Sequence, residues 1–216
     1  MRRWYLCVGL IVASAVVGLG TCDTVFALHN PALFGYNESK QTTTQIISQF
    51  RNALVNQDNN VVDRDNCASP DSQDCQLYIW RKFIAGLKEK SPLEQLKAVN
   101  SFANHKKYKT DKENYGTGDH WATPAEFLSR GGDCEDFAII KFMSLRYLGF
   151  SPDSIRIVVL IDTKLKLPHA VLTVDMNNDV LVLDNQTNEI ISHRKLSQYA
   201  PIYSVNETGW WIYTPK

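Results

Sequence analysis

An α+β fold is predicted, with a helical N-terminal half packed on an antiparallel β-sheet. Apolar residues recur at helical spacing through residues 43–102. Short β-type runs separated by turn residues fill 155–205. The period changes once along the chain, helices first and strands after, which separates α+β from an alternating α/β pattern.

The elements follow in order. Thr43 to Asn56 carries Ile46, Ile47, Phe50, Leu54 and Val55 at helical spacing. Gln76 to Lys88 does the same with Leu77, Ile79, Trp80, Phe83, Ile84 and Leu87. Ser91-Pro92 opens a third helix with Leu93, Leu96, Val99 and Phe102 on one face. Proline suits that first position, where its missing N–H costs nothing. Tyr108 to Asp119 is polar and contains glycine, so it reads as a loop. Trp121-Ala122-Thr123-Pro124 starts a short helix through Glu126, Phe127 and Leu128. Gly131-Gly132 interrupts it, and a strongly apolar helical run follows from Phe137 to Leu148. Ile155–Ile161, His169–Val174, Val180–Leu183 and Ile202–Val205 read as strands. Met176-Asn177-Asn178-Asp179 has hairpin-turn composition.

Composition narrows the function. Lys+Arg and Asp+Glu balance at 23 each and no long basic stripe exists, which argues against nucleic acid. The densest basic patch, His105 to Lys109, reads as a solvated helix end. Residues 1–27 have the form of a secretory signal peptide, leaving a domain at 28–216. Arg2 and Arg3 form the positive region, Cys7 to Leu19 the apolar one, and Val25-Phe26-Ala27 the cleavage site. Leu19-Gly20-Thr21-Cys22 faintly resembles a lipoprotein acylation site, with Thr21 a poor fit. Without the leader three cysteines remain. Cys67 and Cys75 flank a short loop and are the natural disulfide pair in an oxidising compartment. Cys134 is left unpaired.

Cys134 lies in Gly131-Gly132-Asp133-Cys134-Glu135-Asp136, in the first turn of the apolar helix. The free N–H groups and positive dipole end there favour a thiolate and make Cys134 a candidate nucleophile. A turn centred on Asn177-Asn178 pairs residues whose numbers sum to 355, which sets His169 and Asp184 on one face as diagonal neighbours. Such neighbours lie about 7–8 Å apart at Cα, within reach of a carboxylate–imidazole hydrogen bond. The set reads as a Cys–His–Asp triad, with Cys134 attacking, His169 moving the proton and Asp184 fixing the imidazole tautomer. Each residue also has a plain structural reading, as an inert core thiol or as ordinary strand-end polar groups.

The acidic neighbours pose a problem. Asp133, Glu135 and Asp136 should raise the thiol pKa and weaken the nucleophile. A bound cation would offset them, and clustered carboxylates suit Ca²⁺. The alternative has Asp133 as N-cap, Asp136 as its capping-box partner and Glu135 in solvent.

With these residues assembled, the chain resembles the bacterial transglutaminase-like cysteine proteinases. The resemblance rests on Trp121 to Leu128, on Gly131 to Ala138, and on the Leu148-Gly149 helix end. It continues through His169 to Leu172, Val182 to Asn185 and Pro201 to Asn206. It implies a papain-like/transglutaminase-like fold. It implies a calcium-dependent endopeptidase that cuts the N-terminal region of a large, repetitive surface adhesin in the periplasm and promotes biofilm dispersal. It further implies inhibition by the periplasmic domain of an inner-membrane cyclic-di-GMP receptor. Carried over residue by residue, Cys134, His169 and Asp184 match the triad, and Asp133, Glu135 and Asp136 match calcium-linked carboxylates. Trp121 would support the oxyanion region or a recognition surface, with a core tryptophan as the alternative. The Asp65–Cys75 segment and Ala170 depart from the pattern, and neither touches the triad.

Two other functions fit the same residues. A transglutaminase or other acyltransferase would resolve the acyl-enzyme with an amine. A catalytically inert, calcium-dependent binding module would keep the acidic cluster and not use the thiol.

Overall fold

The computed structural model describes residues 32–41, 47–55, 69, 72–116 and 118–216. The leader, Cys22, Cys67 and most of the Asp65–Cys75 segment lie outside them. Six α-helices are described: α1 (Ile47–Val55), α2 (Gln73–Leu87), α3 (Pro92–Asn104), α4 (Asp111–Tyr115), α5 (Pro124–Arg130) and α6 (Cys134–Tyr147). Seven strands are described: β1 (Asn37–Gln41), β2 (Ile155–Asp162), β3 (Leu167–Met176), β4 (Asp179–Leu183), β5 (Ile191–Ser192), β6 (Tyr199–Asn206) and β7 (Gly209–Thr214). The strands form one sheet in the order β1-β7-β6-β2-β3-β4-β5, and every pairing in it is antiparallel.

The predicted α+β architecture is the observed one. The helices cover one face of the sheet, where α6 lies against β2 and β3. The core between them joins Trp80, Leu96, Phe127, Ile139 and Phe142 to Ile155, Ile157, Leu172 and Leu183. A second apolar cluster on the other face holds Val158, Leu160, Val171, Val182, Tyr199 and Trp211. β3 is therefore buried on both faces, which is why its sequence is continuously apolar from Ala170 to Leu172.

Local chemistry explains most boundaries. Ser91 caps α3 in a capping box with Glu94, with Pro92 in first position. Asn177 and Asn178 adopt positive φ, and the hairpin pairs Leu172 with Leu183 and Asp175 with Val180. These are pairs whose numbers sum to 355, as expected.

The loop expected at Tyr108–Asp119 instead contains α4. Its signal was Thr110 and Glu113, whose reciprocal capping box starts the helix. β1 was also missed, being a polar edge strand with no alternation to read. β7 was missed although Trp210, Trp211, Ile212 and Tyr213 have strand composition. The basic segment after α3 is no simple solvated helix end. Lys106 Nζ, half-buried, donates to Gln76 Oε1 (2.6 Å) and to the Leu128 carbonyl (2.9 Å). Among the described residues no helix is long and apolar enough to cross a membrane.

Candidate active site

Cys134 opens α6, and the backbone before it is held from two sides. Gly132 N–H donates to Lys107 O (3.2 Å), and Lys109 N–H donates to Gly132 O (2.9 Å). The approach is too close for a side chain. A Cβ on Gly131 would lie 2.1 Å from Lys107 O, and Gly131 also has φ +79°. A Cβ on Gly132 would lie 2.1 Å from Asp136 Oδ2. Gly131 thus lets the Lys107 backbone pass beside the loop that presents the thiol, and Gly132 leaves room for the Asp136 side chain.

Cys134 and His169 line one cleft, together with Asp119, Trp121, Glu135, Val159, Pro168, Ala170 and Tyr203. Trp121 is 8% exposed, so it belongs both to the core and to the cleft wall. Cys134 is a free thiol. His169 stands on β3, and Asp184 follows the last residue of β4. His169 Nε2 lies 2.9 Å from Asp184 Oδ1, and both side chains are buried. The face-sharing read from the hairpin parity therefore brings these two together. With Nε2 engaged by the carboxylate, Nδ1 is the nitrogen left to exchange a proton with a thiol.

Asp184 has further support that sequence reasoning missed. Tyr199 Oη donates to Asp184 Oδ2 (2.5 Å), and Gln186 N–H donates to Oδ1 (3.0 Å). Burial alone would push the Asp184 carboxyl up. The bonds from His169, Tyr199 and Gln186 outweigh it and hold the carboxyl below its ordinary value. Asn104 Nδ2 on α3 donates to the Asp184 carbonyl (2.9 Å) and to Thr187 O (2.9 Å). Asn100 Nδ2 also donates to Thr187 O (2.9 Å), so α3 clamps the loop that carries the carboxylate. Asparagines on a helix gave no sequence signal because their partners are backbone atoms distant along the chain.

The carboxylates around Cys134 are not arranged as expected. Asp133, Glu135 and Asp136 do not form one group by themselves. They divide into two groups that share Asp111: Asp111 with Asp133 and Asp136, and Asp111 with Asp119 and Glu135. In each group the candidate oxygens lie within 4.8 Å of one another. Asp111 and Asp119 were hidden in the segment read as a loop.

Asp136 has a structural task as well. Its Oδ1 accepts from Ala122 N–H (2.7 Å) and its Oδ2 from Asp133 N–H (3.2 Å), the second being half of the anticipated capping box. Asp111 Oδ2 accepts from His120 N–H (2.5 Å). In contrast, Asp111 Oδ1 and Asp133 Oδ1 are buried and meet no hydrogen-bond donor among the described residues. Buried carboxylate oxygens without donors are costly, and a cation is a natural partner for them. The residues present therefore fit Ca²⁺.

The electrostatics agree. Burial, reinforced by a hydrogen bond to Glu135 and by repulsion from Glu135 and Asp111, pushes the Asp133 carboxyl up to about 8. Burial with repulsion from Asp133 and Asp111 pushes Asp136 up to about 8. Burial raises Glu135 as well. The Cys134 thiol, burial first and Glu135 second, is pushed far above its ordinary value, with the Ala170 backbone N–H acting the other way. The thiol donates to Glu135 Oε2 at 3.2 Å.

Cys75, at the start of α2, is fully buried. Cys67 lies outside the described residues, so the expected pairing of the two remains a proposal.

Comparison with known proteins points one way. The sequence profile described as bacterial transglutaminase-like cysteine proteinase BTLCP matches residues 63–214. Among solved structures, Legionella pneumophila LapG is similar at 35% identity and a TM-score of 0.59, over 65% of this chain and 77% of that one. Its calcium-bound form is similar at 35% identity and a TM-score of 0.60, over 65% and 80% of the two chains. Its EGTA-treated form is similar at 30% identity and a TM-score of 0.59, over 81% and 87%. No curated protein sequence matches the chain.

Proposed function

The chain belongs to the bacterial transglutaminase-like cysteine proteinases and is a cysteine protease, and we propose that Cys134, His169 and Asp184 are its catalytic triad. The observation that carries the proposal is the 2.9 Å contact from His169 Nε2 to Asp184 Oδ1, beside the cleft that His169 shares with Cys134.

The residues then act as follows. His169 Nδ1 takes the Cys134 proton, and the sulfur attacks the carbonyl carbon of the scissile peptide. Backbone N–H groups in the first turn of α6 lie where the carbonyl oxygen gains charge. The C–N bond breaks, and His169 returns the proton to the leaving amine. Water, deprotonated by His169, attacks the thioester; its carbonyl re-forms with loss of the Cys134 sulfur, which regains its proton. Asp184 keeps Nε2 protonated and stabilises the imidazolium between these steps.

Asp111, Asp133, Asp119, Glu135 and Asp136 are the residues that would hold Ca²⁺. When bound, the ion supplies positive charge that balances the carboxylates and favours the thiolate. Asp133 and Asp136, bonded to each other across the first turn, meanwhile hold the loop that presents Cys134. The calcium-bound and EGTA-treated forms of the Legionella protein support this reading.

The substrate we propose is the N-terminal region of a large, repetitive surface adhesin, cut in the periplasm to release it and disperse a biofilm. The regulator we propose is the periplasmic domain of an inner-membrane cyclic-di-GMP receptor. Family resemblance supports both. The test incubates the calcium-loaded chain with a recombinant N-terminal adhesin fragment and follows two discrete products. Wild type should cut, and Cys134→Ala and EGTA-treated protein should not. Products joined by isopeptide bonds would instead favour an acyltransferase, and no reaction of either kind would favour the inert binding module.

A further inference from the structure

We propose that Tyr199 is a positioning residue for catalysis, holding the Asp184 carboxylate turned so that Oδ1 meets His169 Nε2. The inference rests on the triad reading above and extends it to a fourth side chain.

Tyr199 begins β6, which is a neighbour neither of β3, the strand of His169, nor of β4, which Asp184 directly follows. The sheet order places β2 between β6 and β3. Register sets Tyr199 opposite Asp162, which in turn lies opposite Leu167. The phenol thus crosses the sheet face toward the triad. It is 4% exposed, and its Oη lies 2.5 Å from Asp184 Oδ2. Its ring meets the His169 imidazole edge-on at 5.9 Å and 63°. Phe34 closes the other side, edge-on to Tyr199 at 5.6 Å.

A buried tyrosine commonly finds some acceptor for its hydroxyl, so a hydrogen bond alone would say little. Here the acceptor is the carboxylate that His169 uses, and the same ring contacts that imidazole. The donors sort by oxygen: Oδ2 receives Tyr199, while Oδ1 receives His169 and the Gln186 amide. Without the phenol, Oδ2 loses the donor that sets the carboxylate's rotation. A freely turning carboxylate holds the imidazole tautomer less well.

The test uses the full chain in saturating Ca²⁺ and needs no substrate. Iodoacetamide labels Cys134 at a rate that reports the thiolate prepared by His169. Tyr199→Phe should slow labelling about tenfold, the size of one charge-assisted hydrogen bond. Asp184→Asn should slow it at least as much. Adding Tyr199→Phe to Asp184→Asn should then change little, because both act through one carboxylate. The ¹⁵N signals of the His169 imidazole should move from a single Nε2–H tautomer toward a mixture in Tyr199→Phe. Tyr213→Phe is the control: it removes another buried phenol, bonded to Ser204 Oγ at 2.8 Å, and should leave both readouts unchanged. Wild-type labelling and tautomer in Tyr199→Phe would overturn the proposal. So would an equal loss in the Asp184→Asn background or in Tyr213→Phe. If Asp184→Asn itself labels like wild type, the triad reading fails first, and that outcome differs from all the others.

Discussion

Asp111 and Asp133, on separate helical segments, bring carboxylate oxygens within 4.8 Å of each other, and each keeps a buried oxygen that no donor among the described residues satisfies. The pair is held so by the backbone: Asp111 through the His120 amide, Asp133 at the start of α6. Removal of Ca²⁺ should therefore cost both stability and activity. EGTA is expected to lower the melting temperature and stop proteolysis reversibly, with Ca²⁺ restoring both and Mg²⁺ doing so poorly. Asp111→Ala should reproduce the EGTA state with Cys134 intact. Unchanged melting and activity in excess chelator would remove the cation from the account.

Cys134→Ala should abolish proteolysis and leave the fold intact. Alanine suits a helix position and retains the Cβ, and it deletes a thiol held among carboxylates. Melting temperature at or slightly above that of wild type, with loss of cleavage, is the expected pair of results. Cleavage at the wild-type rate would reassign the nucleophile.

Gly132→Ala and Gly131→Ala test the crowding of the loop. Each added methyl would sit 2.1 Å from an oxygen of Asp136 or Lys107, and Gly131 is also left-handed. Each substitution should cost about 2 kcal/mol or more, as overpacking and backbone strain usually do. Urea unfolding measures the cost, and a change below about 0.5 kcal/mol would contradict the geometry.

Lys141 is 1% exposed on α6, and burial lowers its pKa to about 7 while the Asp184 charge opposes the shift. Between about pH 7 and 10.4 the unfolded chain keeps this proton and the folded chain sheds it. The unfolded state then binds more protons, so stability rises with pH across that window. Below it the burial penalty is full. Lys141→Met should accordingly stabilise the protein near pH 6 by about 1–4 kcal/mol. Its advantage over wild type should shrink as pH rises toward 10. Melting curves of both proteins across this range decide the matter. A constant difference, or a destabilised variant near pH 6, would show that the ammonium has a partner worth more than its burial costs.

Cys67 and Cys75 should be joined under oxidising conditions, closing a short loop that ends in the first turn of α2. Such a bridge stabilises by about 2–3 kcal/mol through the unfolded chain. Mass spectrometry of non-reduced peptides should find the two together and Cys134 free. Cys134 in a disulfide in active protein would contradict both assignments.

Short-range chemistry is legible in the sequence alone. Asn177 and Asn178 tolerate positive φ, so they set a two-residue turn and with it the register from Leu172↔Leu183 onward. That register brings His169 to Asp184. Gly131-Gly132 followed by an apolar run sets Cys134 at a helix start, and Ser91-Pro92 starts α3 in the same local way. The tertiary structure alone decided which distant groups meet these. Asp111 and Asp119 join the acidic cluster because the chain around α4 comes back to the loop before α6, where Asn114 Nδ2 donates to Gly131 O. Asn104 meets the Asp184 carbonyl because α3 packs beside α6. Tyr199 reaches Asp184 because β6 pairs with β2 rather than with β4. Turn and cap energies depend on residues a few positions apart, and a sequence displays them directly. The contacts that complete the site depend on how the sheet is ordered and how the helices pack on it, and those follow from burial summed over the whole chain.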